Sequence, residues 1–315
     1  VLSLRNHLES ARASNANIPL ESDDTWLLSL PLHHVAGFGV LFRCLMAGAT
    51  ISIPPSGATL QTCISDVTHV SLVARQLAQL LDAGAPLNAL KAILLGGSAI
   101  PAPLIDRAFA AGLSIHTSYG MTETATQIAA TPPGATRAQL ASSGRPLVPG
   151  TIRIADDGRI HVMGPARFLG YWDGGALSCP FDAEGWFTTS DCGYFDDDGF
   201  LYITGRADNV FIAGGENIQP EEIERVLCAL PGIMQAIVVP VAHPEFGATP
   251  VAFVDDGEGR EAELRAALAG ALPRFAQPHL YFPWPTHLAV EGLKIQRAAF
   301  SALAEELMAR RRADR

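Results

Sequence analysis

Lys91–Gly120 reads KAILLGGSAIPAPLIDRAFAAGLSIHTSYG. It opens with a short apolar run that ends in two glycines (91–97). An amphipathic stretch behind a proline follows (101–112), then a second apolar run that enters a polar loop (113–120). Lengths and breakers predict strand, helix, strand. Two strands joined through a helix lie parallel in one sheet, so this stretch fixes the class of the fold. The same alternation runs upstream. TWLLSL (25–30), ATISIP (49–54) and THVSLV (68–73) read as strands; VAGFGVLFRCLMAG (35–48) and RQLAQLLDAG (75–84) read as helices. The expectation is an α/β protein whose large domain is a mostly parallel sheet with helices.

Downstream the texture changes. TIRIADDGRIHVMG (151–164) reads as two strands about an Asp-Gly turn, and a second such turn, Asp197-Asp198-Gly199, separates GYF (193–195) from FLYITGR (200–206). That predicts a β-rich subdomain of antiparallel strands. After Arg206 the pattern is mixed again. Gln219-Pro220-Glu221-Glu222 carries the signature of a helix start. QAIVVPV (235–241) is a strand, REAELRAALAGAL (260–272) a helix, and a last helix begins at Arg297. The expected domains are 1–206 and a small α+β domain, 207–315, with the boundary near Ala207–Asp208.

Composition narrows the function. The 315 residues are 48% hydrophobic and 17% charged, a globular mixture. Net charge is −10, which argues against a nucleic-acid or anionic-membrane binder. Five cysteines at no C-x-x-C spacing exclude a zinc ribbon and suit reduced thiols. No run of 18 uncharged apolar residues occurs and no signal peptide is legible, so a cytoplasmic protein without a transmembrane segment is expected. The first residue is Val1, which suggests processing or a piece of something longer. Of the 22 basic residues only Lys91 and Lys294 are lysines. Lys91 opens a buried strand and suggests no role beyond chance retention.

Three segments are richer in chemistry than ordinary loops. TSYGMTETA (117–125) follows a strand, where parallel sheets place ligands. Tyr119 offers a flat face, Thr122 a hydroxyl and Glu123 a hard oxygen for Mg²⁺. A turn with a helix cap would also explain it. In the stretch 188–224, TTSDCGYFDDDGFLYITGRADNVFIAGGENIQPEEIE, Asp191 and Arg206 could hold a ribose, and Gly214 and Gly215 would admit a narrow ligand. Two β-turns and a helix start explain its Asp-Gly pairs, but not the whole string. EGLKIQR (291–297) sets Lys294 beside a glycine; a surface hairpin lysine is the plainer alternative.

In order along the chain, TSYGMTET, TTSD, GRADNVFIAGGENIQPEEIE and a late G-x-K-x-x-R resemble the acyl-adenylate-forming (AMP-binding) enzymes: acyl-CoA synthetases, luciferases and peptide-synthetase adenylation domains. LLSLPLHHVAGFGVLFRCLMAGA (27–49), Gln219 within GGENIQPEEIE, and LPRFAQPHLYFPWP (272–285) before GLKIQR are most similar to the subgroup that ligates o-succinylbenzoate to CoA for menaquinone synthesis. The resemblance implies an acid–CoA ligase that uses ATP, Mg²⁺ and coenzyme A on a small carboxylic acid. Another acyl- or aryl-CoA synthetase is the alternative.

It also implies roles residue by residue. Tyr119 would stack on adenine, with Gly96, Gly97, Ser98 and Gly120 lining the nucleotide and acyl pocket. Thr122 would contact the α-phosphate and Glu123 would hold Mg²⁺. Asp191 and Arg206 would bind ribose. His34 would sit by the acyl pocket and pantetheine path, and Ser118 beside the acid. Arg43 is the candidate to counter a second substrate carboxylate, unless it is a helix arginine facing water. Asp208 would be the hinge, Lys294 the catalytic lysine, and Gly214 and Gly215 the border of the CoA channel. Family members are often dimers or tetramers, so a homo-oligomer is admitted.

One departure stands out. The family's Thr/Ser/Gly-rich phosphate loop, ending in Lys, should lie just before LSLRNHLESA (2–11) and is not in this sequence, nor is the early part of the large domain, roughly a third of a usual chain. A fragment of a full enzyme, a misplaced start and a non-catalytic nucleotide-binding remnant are the three expectations this raises.

Overall fold

The structure, a computed structural model, describes residues 1–285, 288 and 296–313. The chain divides into two compact units, Val1–Ile100 with Leu104–Ile203, and Pro101–Pro103 with Thr204–Arg315.

The first unit opens with α1 (Leu4–Asn17), started by a capping box in which Ser3 accepts from the Asn6 amide and the Asn6 side chain accepts from Ser3. Next come β1 (Thr25–Leu27), α2 (Val35–Ala47), β2 (Thr50–Ser52), a short α3 (Leu60–Cys63), β3 (His69–Leu72), α4 (Ala74–Asp82), β4 (Ala92–Leu95), α5 (Ala102–Ala110), β5 (Ile115–Gly120), β6 (Gln127–Ala130) and β7 (Arg145–Pro146). The sheet order is β2-β1-β3-β4-β5-β6-β7. Its first five strands pair in parallel, for example Ile93 with Ile115, and β6 and β7 add antiparallel. Every residue of β3 and β4 is buried, as expected of parallel strands covered on both faces. The α/β class and the mostly parallel sheet are therefore as the alternation predicts. The short antiparallel end is not, because β6 and β7 carry only four and two residues of pattern.

Lys91 does have a partner. Its Nζ lies 2.7 Å from Oδ1 of the buried Asp24, just before β1. Asp24 also accepts from the Glu21 amide. The lysine thus compensates a buried carboxylate, and chance retention is not the account the structure supports.

The β-rich subdomain follows. It comprises β8 (Ile152–Ile154), β9 (Arg159–Val162), the small hairpin β10 (Tyr171–Trp172) with β11 (Leu177–Ser178), β12 (Phe187–Phe195) and β13 (Leu201–Arg206). The larger sheet runs β13-β12-β9-β8. Pairing of β12 with β9 shifts register between Thr188 and Cys192, an irregularity that falls on Asp191.

The second unit contains the hairpin β14 (Phe211–Ala213) and β15 (Glu216–Ile218), then α6 (Pro220–Leu227), β16 (Ala236–His243), β17 (Gly247–Val254), α7 (Glu261–Ala271), β18 (Leu280–Pro283) and α8 (Arg297–Ala313). Successive residues of β16 and β17 point to opposite faces. Val238, Ala252 and Val254 pack with Ile223 and Leu227 of α6 and Leu264 and Leu268 of α7. Val239, Val251 and Phe253 pack instead with Phe300 and Ala304 of α8. Pro220 at the first turn of α6 fits the predicted helix start behind Gln219.

Candidate active site

Most site residues of the first unit lie at or just past the carboxyl ends of β4 and β5, whereas His34 and Arg43 belong to α2 and Asp191 to β12. Gly96, Gly97 and Ser98 follow β4. Gly97 has φ +88°, which favours glycine. Ser118 Oγ donates to the Leu95 carbonyl at 2.8 Å and lies 2.9 Å from where a Cβ on residue 96 would sit. The glycine and the serine are therefore coupled: the hydroxyl needs the space that a side chain at 96 would take.

Tyr119 ends the buried part of β5. Its ring is 8% exposed and packs among Ile128, Ile152, Val162 and Phe187. The phenol donates to Asp191 Oδ2 at 2.7 Å. Asp191 lies within the irregular stretch of β12, and its own amide donates to Thr189 Oγ1 at 3.1 Å. Two residues 72 apart in sequence are thus brought into one hydrogen-bonded pair. Gly120 follows, where a Cβ would overlap the Thr126 carbonyl oxygen, so only glycine lets β5 and β6 pair this closely here.

Thr122–Thr124 form a single tight helical turn that closes on Ala125 at φ +61°, an uncommon conformation for alanine. The capping alternative is partly right, since Thr124 Oγ1 accepts from the Met121 amide. Yet the turn also displays Thr122 and Glu123. Glu123 Oε1 accepts from the Tyr171 hydroxyl at 2.7 Å. Burial and this carboxylate push the Tyr171 phenol up to about 12, so it remains a donor at neutral pH. Among the described residues no group of three or more His, Cys, Asp or Glu could hold a metal. A lone, oriented Glu123 suits Mg²⁺, which keeps its waters and takes one or two carboxylates along with substrate phosphates.

Arg43 does not face water. It is 1% exposed on α2, with its guanidinium 5.0 Å from the Trp26 ring centroid. Nη2 donates to Gln127 Oε1 at 2.5 Å, and Gln127 Nε2 donates on to Ser14 Oγ at 2.7 Å. Nε and Nη1 are buried with no hydrogen-bond partner. Burial lowers this guanidinium to about 10, still charged at neutral pH. A buried cation with two unanswered donors is costly unless an anion meets it. His34 is the N-cap residue of α2 and makes no side-chain cap; its ring lies 4.3 Å from that of His33.

In the second unit, Arg206 forks onto Asp208, Nε to Oδ1 at 2.9 Å and Nη2 to Oδ2 at 2.7 Å. The proposed ribose residue and the proposed hinge residue are joined. Gly214 and Gly215 form the β14–β15 turn with φ +61° and +89°, the paired left-handed conformation of a tight hairpin. Turn geometry alone accounts for both glycines. Lys294 lies outside the described residues.

Gln127 and Tyr171 were not legible as site residues. A glutamine inside the apolar strand QIAA was the available signal for the first. The second sits in a two-residue strand with no motif.

The chain is similar to known proteins of one family along most of its length. The AMP-binding enzyme family matches residues 1–172, and the AMP-binding enzyme C-terminal domain matches residues 222–284. The 2-succinylbenzoate–CoA ligase of Escherichia coli is 39% identical over 293 residues, covering 93% of this chain and 63% of the relative. That of Geobacillus kaustophilus is 36% identical, covering 88% and 61%. The chain thus spans about 63% of the length of such relatives. Among solved structures, a variant of E. coli MenE with bound OSB-AMS aligns with TM-score 0.88 at 38% identity, over 97% of this chain and 66% of that one. The o-succinylbenzoate CoA synthetase of Bacillus subtilis, in complex with the acyl-adenylate intermediate OSB-AMP, aligns with TM-score 0.82 at 30% identity, over 95% and 65%.

Proposed function

The chain belongs to the AMP-binding enzyme family, and from that premise we propose that it is part of an ATP-dependent acid–CoA ligase that converts 2-succinylbenzoate to 2-succinylbenzoyl-CoA in menaquinone biosynthesis. The observation that carries the reading is the Tyr119–Asp191 pair at the carboxyl end of the parallel strands, with Glu123 on the turn that follows. Arg43 supports the choice of acid. Its two unanswered donors, held in place by Gln127, suit a substrate carboxylate other than the reacting one.

In the first step an oxygen of the reacting carboxylate attacks the α-phosphorus of ATP, and pyrophosphate leaves. Both reactants are anions, so the site must cancel charge as it develops. Thr122 contacts the α-phosphate and Lys294 bridges carboxylate and phosphoryl oxygens. Glu123 would hold Mg²⁺, which neutralises phosphate charge when bound. Asp191, fixed by the Tyr119 hydroxyl, accepts from ribose, and Arg206 assists. Gly96, Gly97, Ser98, Ser118 and Gly120 line the pocket with backbone and a small hydroxyl. In the second step the CoA sulfur attacks the acyl carbonyl past His34 and along Gly214–Gly215. AMP leaves and the thiol proton passes to solvent. Rotation about Asp208 exchanges one step for the other. The reading puts the enzyme in the cytoplasm, beside its co-substrates, and includes a homo-oligomer as in its family.

The test is an assay of the full-length protein with ATP, Mg²⁺, CoA and 2-succinylbenzoate, following AMP and thioester together. Thioester from a fatty or simple aryl acid, and none from 2-succinylbenzoate, would move the chain to another acid. Nucleotide binding without either product would leave a non-catalytic remnant.

A further inference from the structure

An amphipathic helix ordinarily turns apolar residues inward. α1 does the reverse: of its five buried residues, Asn6, His7, Ser10, Ala11 and Ser14, four are polar. Buried polar groups are kept for what they bond to. Toward the end of α1 those bonds converge on Arg43. Ser14, fully buried, accepts at Oγ from Gln127 Nε2 at 2.7 Å, and Gln127 Oε1 accepts from Arg43 Nη2 at 2.5 Å. The next residue, Asn15, donates from Nδ2 to the Arg43 main-chain carbonyl at 3.0 Å. One turn earlier Ser10 Oγ meets Thr126 Oγ1 at 2.5 Å. Gly39 lets α2 come this close, since a Cβ there would lie 2.4 Å from Thr126 Cγ2 and 3.5 Å from Arg43 Nη2. α1 therefore fixes Arg43 at both ends, the main chain through Asn15 and the guanidinium through Ser14 and Gln127.

The direction of the bonds gives Ser14 a definite role. A guanidinium has only donors, so Gln127 must turn its amide oxygen to Arg43, and its Nε2 then faces Ser14. Without an acceptor there, a buried amide N–H would go unmet, and turning the amide over would set donor against donor at Arg43. We infer that Ser14 is a positioning residue for acid selection: by receiving Gln127 it holds the amide oxygen on Arg43, and so keeps Nε and Nη1, the two unanswered donors, for a carboxylate of the substrate. The acid so selected is a dicarboxylate. A monoacid of the same shape leaves the buried cation unmet, and a site built to meet a polar group discriminates strongly against the analogue that lacks it. The inference rests on the reading of Arg43 as partner of the non-reacting carboxylate.

The experiment compares Ser14→Ala, Gln127→Met, the two combined, and Arg43→Met with the parent in the full-length protein. The acids are 2-succinylbenzoate and benzoylpropionate, the same molecule without the ring carboxylate. Ser14→Ala is expected to raise KM for 2-succinylbenzoate about tenfold, with kcat and KM for ATP changed less than about threefold. For benzoylpropionate kcat/KM should change less than about twofold, a split that a general loosening of the fold would not produce. In the Gln127→Met background Ser14→Ala should add no further loss. Ser14→Cys, a weak acceptor of similar size, should fall between the parent and Ser14→Ala, and it decides by the same criteria if Ser14→Ala does not fold. Equal loss on both acids, a loss that adds in full to that of Gln127→Met, or no loss overturns the inference. Arg43→Met separates premise from inference. An unchanged KM for 2-succinylbenzoate there removes the reading of Arg43; a raised KM there, with Ser14→Ala like the parent, overturns the role of Ser14 alone. Where turnover is too slow to follow, the dissociation constant of the acid from titration calorimetry takes the place of KM, and a parent that binds neither acid overturns both.

Discussion

Arg43 shows what a side chain's surroundings add to its identity. On a helix of apolar residues an arginine can turn outward or inward, and sequence spacing left both readings open. The structure turns it inward, onto Trp26 and Gln127. Arg43→Met should therefore raise KM for the acid about 100-fold while KM for ATP stays within about threefold, as measured by initial rates. Comparable losses for both substrates would remove Arg43 from the acid pocket. Tyr119→Phe deletes one hydrogen bond to Asp191 and should raise KM for ATP about fivefold, with the acid unaffected. The residues that resemble family motifs were legible because chemistry confines them to short strings. Gln127 and Tyr171 were not, since each acts through a partner distant in sequence, Arg43 in one case and Glu123 in the other.

Elements meet through constraints that only three dimensions expose. Asp24, Lys91 and His69 tie the starts of β1, β3 and β4 together, His69 stacking on Trp26. Burial raises the Asp24 carboxyl, but the Lys91 hydrogen bond, the Glu21 amide and Thr68 outweigh it and hold the group below the usual aspartate range. A depressed folded value stabilises above the unfolded value and is lost as pH falls through the folded one. Lys91→Met should accordingly lower Tm by several degrees at pH 7, and the gap from the parent should close below the ordinary aspartate range. A gap that persists in acid would show that packing, not charge, is responsible. Gly120→Ala forces a methyl group onto the Thr126 carbonyl and should cost about 2–4 kcal/mol in urea unfolding. The long parallel strands were readable from their apolar runs. The β14–β15 hairpin and the β6–β7 extension were not, because two to four residues carry too little periodicity.

At the scale of the molecule, each unit has its own core. In residues 204–315 one face of β16–β17–β18 is covered by α6 and α7 and the other by α8. Expressed alone, this unit is expected to unfold cooperatively on heating, with its near-ultraviolet circular dichroism lost in one transition; gradual loss would show that it depends on the first unit. The family strings span both units, which is why the order of motifs was legible end to end, whereas Lys294 lies outside the described residues. The whole chain carries a net charge of −10, yet the side chain that fixes Arg43 is an amide. A glutamate at 127 would neutralise the guanidinium within the fold. Gln127 instead orients the cation and leaves its charge uncancelled, so that, on the proposed function, an entering acid would complete a salt bridge which folding left half-built. If Arg43 meets the acid as proposed, selectivity would come from an unfinished ion pair, and Gln127→Glu would finish it at the expense of the substrate.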